Sequence, residues 1–337
     1  MSKHSTDVVI IGAGPVGLFA VFECGMVKLS CHVVDALDQV GGQCTALYPE
    51  KPIYDIPGHP RIDAADLVEK LKEQAAPFKP VYHLNQQVEG LERHGENWRV
   101  TTSKGIVIDA KAVIIAAGVG AFGPNRPPMD RLEAFEGKSV FYYVTRREDF
   151  RGKRVVIAGG GDSAVDWALS LSEVAAKVMV VHRRPKFRCA PESEAKLKQL
   201  AASGAVELVI PYQLSRLEGS DGKLASVIVT TLDGKEKPLE ADVLLPFFGL
   251  AMNLGPILNW GLNLDRNLVA VEPATSATNL PGVFAVGDIA HYPGKLKLIL
   301  CGFSEAAMAA HAIYPLVHPD TALHFEYSTT SGVPGTV

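Results

Sequence analysis

A run of apolar residues leading straight into a glycine-rich turn and then a helical pattern occurs twice in this chain, and that repeat constrains the fold most tightly. From Asp7, VVIIGAGPVGLFAVFECG reads as a buried strand, a turn and a helix ending near Gly25. A second strand, Ser30 to Val34, closes on Asp35. This is a βαβ unit with Gly12, Gly14 and Gly17 in a GxGxxG frame. The frame provides a tight turn, room for a pyrophosphate and close packing of helix on strand. Gly12, Gly14, Pro15 and Gly17 are therefore candidate dinucleotide-binding residues, with the helix N-terminus offering N–H donors to phosphate. Asp35 stands where a carboxylate accepts hydrogen bonds from an adenine-side ribose.

The second occurrence is RVVIAGGGDSAVDWALSLSEVAAKVMVVHRR. Arg154 to Ala158 form its strand, and Gly159, Gly161 and Ala164 fill GxGxxA, with Asp162 and Ser163 inside the turn. Its second strand ends on His182, Arg183 and Arg184, with Arg188 four residues further on, in place of an acid. Guanidinium forks suit a 2′-phosphate, so the expected second ligand is NADP(H).

Other apolar runs return the chain to these sheets: Ala112–Gly118 to the first unit and Asp242–Gly249 to the second. Gly282–Asp288, GVFAVGD, places an acid directly after another strand, followed by a helical stretch from Cys301 to Ile313. The expected architecture is α/β, with two Rossmann-like domains. The first comprises residues 1–124 and 247–337, and the second, 125–246, is inserted into it. At 337 residues the chain has the length of about two domains.

Lys and Arg total 33 against 37 Asp and Glu, which gives no global electrostatic reason to bind a nucleic acid. The five cysteines include no CxxC, and the ten histidines show no metal-ligand spacing, so no metal is expected and the thiols read as reduced in a cytoplasmic protein. The first apolar run, Val8 to Ile11, is far short of a membrane span, and no export or spanning signal is read. Arg146, Arg147, Arg151, Lys153 and Arg154 form a local basic cluster, interrupted by Glu148 and Asp149.

These motifs make nearly the whole chain resemble the flavin-dependent pyridine-nucleotide reductases of thioredoxin-reductase type. The resemblance rests on the first glycine turn, GGGDSA at Gly159–Ala164, HRRxxxR at His182–Arg188 and GVFAVGD. In thioredoxin reductase a CATC disulfide precedes the second glycine turn. Here that stretch reads Tyr143, Val144, Thr145, Arg146, so no dithiol can relay an electron pair. Together with VGGQCTALYPEKPIYDIPG and the terminal YSTT, this departure is similar to the ferredoxin–NADP+ reductases of thioredoxin-reductase-like type.

That resemblance implies FAD and NADP(H) as cofactors, ferredoxin or flavodoxin as the partner, and a homodimer. It places Asp35 on the adenosine ribose, and Gln43, Val88 and Phe122 along FAD. Tyr48 would stack on one flavin face, with Tyr327 on the other and Ser328 at the ring edge. Asp288 would serve the ribityl or pyrophosphate region and Thr329 the flavin. No acid or base residue is required, because the cofactor supplies the chemistry. Two further readings stay open: an NADPH-dependent reductase of a disulfide or quinone, and a non-catalytic NADP(H)-sensing flavoprotein.

Overall fold

Strands that are apolar on both faces are stable only between two covering layers, and the first glycine-turn strand is covered in this way. The computed structural model describes residues 2–323, 329 and 332–334. It divides into two compact units, Met1–Phe122 with Met252–Val337, and Gly123–Ala251.

In the first unit the parallel strands run in the order Val81–His83, Cys31–Val34, Lys3–Ile11 and Val107–Ile115. The last of these is shared. Its N-terminal half pairs with the hairpin Val88–His94 and Asn97–Thr102, and its C-terminal half pairs in parallel with Val283–Ala285. Side chains alternate between faces with period two, and the buried residues divide accordingly. Val8, Ile10, Val33, Ile114 and Phe284 pack under helices Pro15–Met26 and Ile299–Val317. Val9, Ile11, Val34, Val113, Ile115 and Ala285 pack against Leu91, Trp98 and Val100 of the hairpin and against Leu254, Ile257 and Trp260. Each fully buried aliphatic side chain contributes roughly 1.5–3 kcal/mol.

Helix Ile299–Val317 faces the sheet with Ala306, Ala309, Ala310 and Ile313, the spacing of one helical stripe. By length and composition it could cross a membrane. In this fold its small alanines let it lie close against a sheet.

The second unit repeats the plan with four parallel strands in the order Val206–Val209, Lys177–Val181, Arg154–Ala158 and Val243–Pro246. Helices Asp162–Leu171 and Pro191–Ala202 accompany them, and an antiparallel meander is built from Gln213–Ser220, Lys223–Thr230 and Glu236–Glu240.

The first strand starts at Lys3, earlier than the expected Asp7, because Lys3 to Thr6 pair with Val107 to Ala110 and the ladder carries these polar residues into the sheet. The last helix also extends beyond the expected Cys301–Ile313 at both ends. The units divide after Phe122 and before Met252, where crossings at 124 and 247 were expected. The chain crosses between the units within strands Ala121–Pro124 and Leu250–Asn253.

On strands Cys31–Val34 and Val81–His83, the His32 Nδ1 and His83 Nε2 atoms lie 2.9 Å apart. Burial, then the neighbouring His83 and His4, lower the His32 pKa to about 4, and burial lowers that of His83. Unfolded histidines titrate near 6.5, so between about pH 6.5 and 4 the unfolded chain binds more protons and stability falls as pH falls. After discounting for partial exposure, His32 accounts for about 1–2 kcal/mol of that loss. Denaturant unfolding at pH 7.5 and pH 4.5 checks this. His32→Asn flattens the pH dependence, and an equally steep loss in the variant would refute the assignment.

Candidate functional site

The register of the first unit brings its strand ends level. Ile11 lies opposite both Val34 and Ile115, and Ala285 lies opposite Ile115. The residues that follow these positions, Gly12, Asp35, Ala116 and the Gly287–Asp288 turn, therefore gather at one edge. A cavity of ≈ 310 Å³ opens there. Gly12, Gly14, Pro15, Asp35, Gln43, Tyr48, Val88 and Asp288 all line it.

The three fingerprint glycines have different physical reasons. Gly12 has φ +110°, and a Cβ on it would stand 2.3 Å from the Ala116 carbonyl oxygen. A Cβ on Gly17 would stand 1.9 Å from the Gly12 carbonyl oxygen. Both positions are closed by backbone. A Cβ on Gly14 would meet nothing within 4 Å, so its space opens where a phosphate would approach the start of helix Pro15–Met26. Gly17 thus shapes the site from behind and does not line it.

Asp35 accepts the Ala13 N–H at 2.6 Å on one oxygen and the Leu37 N–H at 2.8 Å on the other. Burial raises its pKa, and these two backbone bonds oppose the rise. Each oxygen keeps acceptor capacity for ribose hydroxyls. Tyr48 is pushed well above the usual phenol range, mainly by burial, so its hydroxyl stays protonated. Burial likewise pushes the neighbouring Cys44 thiol up to about 11. A thiol held protonated is a poor nucleophile and a poor redox relay.

Some lining residues had no motif to announce them: Gln86, Gln87, Leu254, Ile257 and Trp260. They come from the hairpin strand's entrance and from a segment far along the chain, so only the tertiary fold brings them to Val88. Thr329 is exposed and does not line the cavity. Tyr327 and Ser328 lie outside the described residues, as does the side chain of Phe122.

In the second unit the strand ends are level again, with Ala158 opposite Val181 and Val181 opposite Val209. A Cβ on Gly159, at φ +155°, would stand 2.7 Å from the Phe247 carbonyl oxygen. One on Gly160 would stand 2.3 Å from the His182 ring, which is stacked on Phe187. His182 is therefore pinned between the glycine turn and Phe187, and burial, then the nearby arginines, lower its pKa. The Arg188 N–H donates to the Gly160 carbonyl at 2.6 Å, and Asp162 accepts the Ala190 N–H at 2.9 Å. Gly161, Asp162, Ser163 and Ala164 form the helix start beside this loop.

Arg183, Arg184 and Arg188 are exposed and make no ion pair with the described residues. The basic cluster before the turn behaves oppositely. Arg146 pairs with Asp149, Arg147 with Glu173, Arg151 with Glu148, and Arg154 with Glu240 and Asp242. Its four arginines are paired locally, and Lys153 lies over the Phe150 ring, whereas the strand-end arginines have no carboxylate among the described residues. Where a CxxC would stand, Val144 is buried and Tyr143, Thr145 and Arg146 are exposed.

The chain belongs to the pyridine nucleotide-disulphide oxidoreductase family, whose model matches residues 6–312. Among its relatives, a ferredoxin–NADP reductase of Paramagnetospirillum magneticum is 70% identical over 99% of each chain. One of Rhodospirillum rubrum is 67% identical over 98% of this chain and 97% of its own. Among solved structures, the thioredoxin reductase of Lactococcus lactis superposes with a TM-score of 0.78 at 25% identity, covering 93% of this chain and 99% of its own. The two-Rossmann architecture of thioredoxin-reductase type is thereby shown.

The glycine geometry gives a contrast that can be measured. Gly14→Val leaves a folded protein whose dinucleotide affinity falls by at least about tenfold, because the new side chain fills only ligand space. Gly17→Val drives a Cβ into backbone and yields little soluble protein. Thermal melts and dinucleotide titration check both, and a Gly14→Val protein that binds as wild type would sink this reading of the cradle.

Proposed function

We propose that this chain is a ferredoxin–NADP reductase that moves electrons between NADP(H) and a one-electron carrier through FAD. The observation that carries the nucleotide assignment is the trio Arg183, Arg184 and Arg188. These are exposed guanidiniums without carboxylate partners among the described residues, just past the second strand of the second glycine-turn unit. The near-full-length identity to relatives of that name supports ferredoxin as the carrier.

The first-unit cavity fits FAD on its own features. Gly14 leaves open space at a helix N-terminus, Asp35 has spare acceptor capacity, and Tyr48 presents a neutral aromatic ring. Gly12, Gly14 and Pro15 would hold the pyrophosphate, Asp35 the ribose, Gln43 and Val88 the chain of the cofactor, and Asp288 its ribityl region. Bound FAD supplies the conversion between a two-electron hydride donor and a one-electron acceptor. The protein binds and orients it: Tyr48 covers a ring face and keeps water from it, and Asp35 fixes the adenosine end. Gly159, Gly161, Asp162, Ser163 and Ala164 would take the NADP(H) pyrophosphate, with His182 aligning the arginine loop for the 2′-phosphate. We extend the same proposal to Tyr327, Ser328, Thr329 and Phe122 at the flavin on the strength of the family resemblance, which for Thr329 is the sole support because it does not line the first-unit cavity.

A disulfide acceptor is disfavoured by chemistry. Cys44 is the cavity's one cysteine, and burial keeps it protonated. A homodimer, flavodoxin as a second carrier, and a cytoplasmic location remain part of the proposal. The free thiols and the exposed Leu296, Leu298 and Leu316 beside or on the last helix support the location and the dimer respectively.

Steady-state cytochrome c reduction tests the function, with NADPH or NADH as donor and with or without ferredoxin. The expected result is a large ferredoxin-dependent rate that favours NADPH. Flavin bleaching by NADPH without transfer would refute the proposal and favour a sensing flavoprotein. In the same assay Arg183→Ala with Arg184→Ala raises KM for NADPH by about 10–100-fold, as expected for lost charge-assisted hydrogen bonds, and leaves the NADH reaction unchanged.

A further inference from the structure

Helix Ile299–Val317 carries one fully buried charge, Glu305, with 1% of its surface exposed. It lies among the alanines that face the sheet, where an ionised carboxylate is strongly disfavoured unless donors surround it. Three do. Glu305 Oε2 accepts the Gly287 N–H at 2.7 Å. Oε1 accepts the Tyr292 hydroxyl at 2.7 Å and the Lys295 ammonium, and the Lys295 side chain is itself only 3% exposed.

These bonds join three separate pieces of chain behind the cavity wall. The parallel ladder ends with the Val286 N–H on the Ile115 carbonyl. One residue later the Gly287 N–H has passed beyond that ladder, and Glu305 receives it. Gly287 and Asp288 line the cavity, as does Ile299 at the start of the helix. Contact at Gly302 presses that helix start against the turn. A Cβ there would stand 3.2 Å from the Gly287 Cα and 2.4 Å from Val16, which also lines the cavity. Glu305 itself lies outside the lining and acts through the turn it holds.

We propose that Glu305, compensated by Lys295, is a positioning residue that fixes the Gly287–Asp288 turn for the flavin, and that this buried pair sets how readily the bound flavin is reduced. The inference rests on the FAD reading above. A carboxamide at position 305 still accepts the Gly287 N–H but leaves Lys295 as a buried cation. Removing the lysine charge instead leaves a buried anion. Electrons added nearby are favoured by the first change and disfavoured by the second. Two variants of one contact should therefore shift the flavin in opposite directions, which a merely structural role would not produce.

The experiment compares Glu305→Gln, Lys295→Met, the double variant and Tyr292→Phe with wild-type holoprotein. It measures FAD affinity, flavin midpoint potential by dye-coupled reduction, and apoprotein melting. Each single charge variant should bind FAD about tenfold more weakly or worse, since one partner of a buried pair is left alone, and the double variant should recover to within about threefold of wild type. The midpoint potential should move positive in Glu305→Gln and negative in Lys295→Met. Wild-type potentials in both, or shifts of the same sign, would overturn the proposal. Should the charge variants fail to fold, Tyr292→Phe keeps the ion pair and removes one donor. It should weaken FAD binding by about threefold or more, and unchanged affinity would overturn the inference. Failure of wild-type protein to take up FAD would instead count against the cofactor assignment.

Discussion

The level register of the first parallel sheet is the constraint on which the candidate site depends. Ile11, Val34, Ile115 and Ala285 finish their ladders together, so the chain turns that follow converge on one edge. A slip of one residue along Lys3–Ile11 would exchange the helix-facing and hairpin-facing side chains and withdraw Gly12 from Asp35. The two buried layers resist such a slip, because every residue from Val8 to Ile11 is committed to one core or the other. Packing thus fixes the position of residues whose own interactions are weak.

Within that frame, shape and charge have different tasks. Gly12 and Gly17 are closed off by backbone carbonyls, and their absent side chains let the helix approach the strand. Gly14 lines the cavity on the open side of the same turn. Charge appears where the backbone needs a partner that the ladder does not supply. Asp35 receives Ala13 and Leu37, while Glu305 receives Gly287. Both carboxylates hold backbone N–H groups of a turn that follows a strand of the sheet, Asp35 within the cavity lining and Glu305 outside it. The burial of Glu305 requires a cation, and Lys295 provides it inside the core.

The sequence made the glycine turns and strand-end residues legible because their signals are local: an apolar run, fixed glycine spacing and a residue type at the end. Strand Arg154–Ala158 is legible to the residue for that reason. The antiparallel meander carries a weaker signal, confined to the hairpin dipeptides Asp221–Gly222 and Asp233–Gly234 between its strands. Val88 was placed by resemblance, while its neighbours Leu254, Ile257 and Trp260 had no local pattern to connect them to it. The Glu305 network was equally hidden. Glutamate in a helix ordinarily reads as an exposed residue, and nothing in the spacing of Gly287, Tyr292 and Lys295 shows that they meet.

The two dinucleotide units show how one backbone plan can serve different chemistry. Both end adjacent strands level and place a glycine turn before a helix, the backbone geometry that suits a pyrophosphate. What differs is the residue after the second strand. Asp35 is half-buried and already holds two backbone N–H groups, so a phosphate at that place would meet a carboxylate fixed by the backbone. In the second unit His182 is clamped by Phe187 over Gly160, and the arginines beyond it are left exposed. The paired arginines nearby show that exposure alone does not make an anion site: most of their charge is spent on Glu148, Asp149, Glu173, Glu240 and Asp242. An arginine is free to meet an outside phosphate when the fold withholds an internal carboxylate; among the described residues the strand-end trio meets that condition and the paired cluster does not.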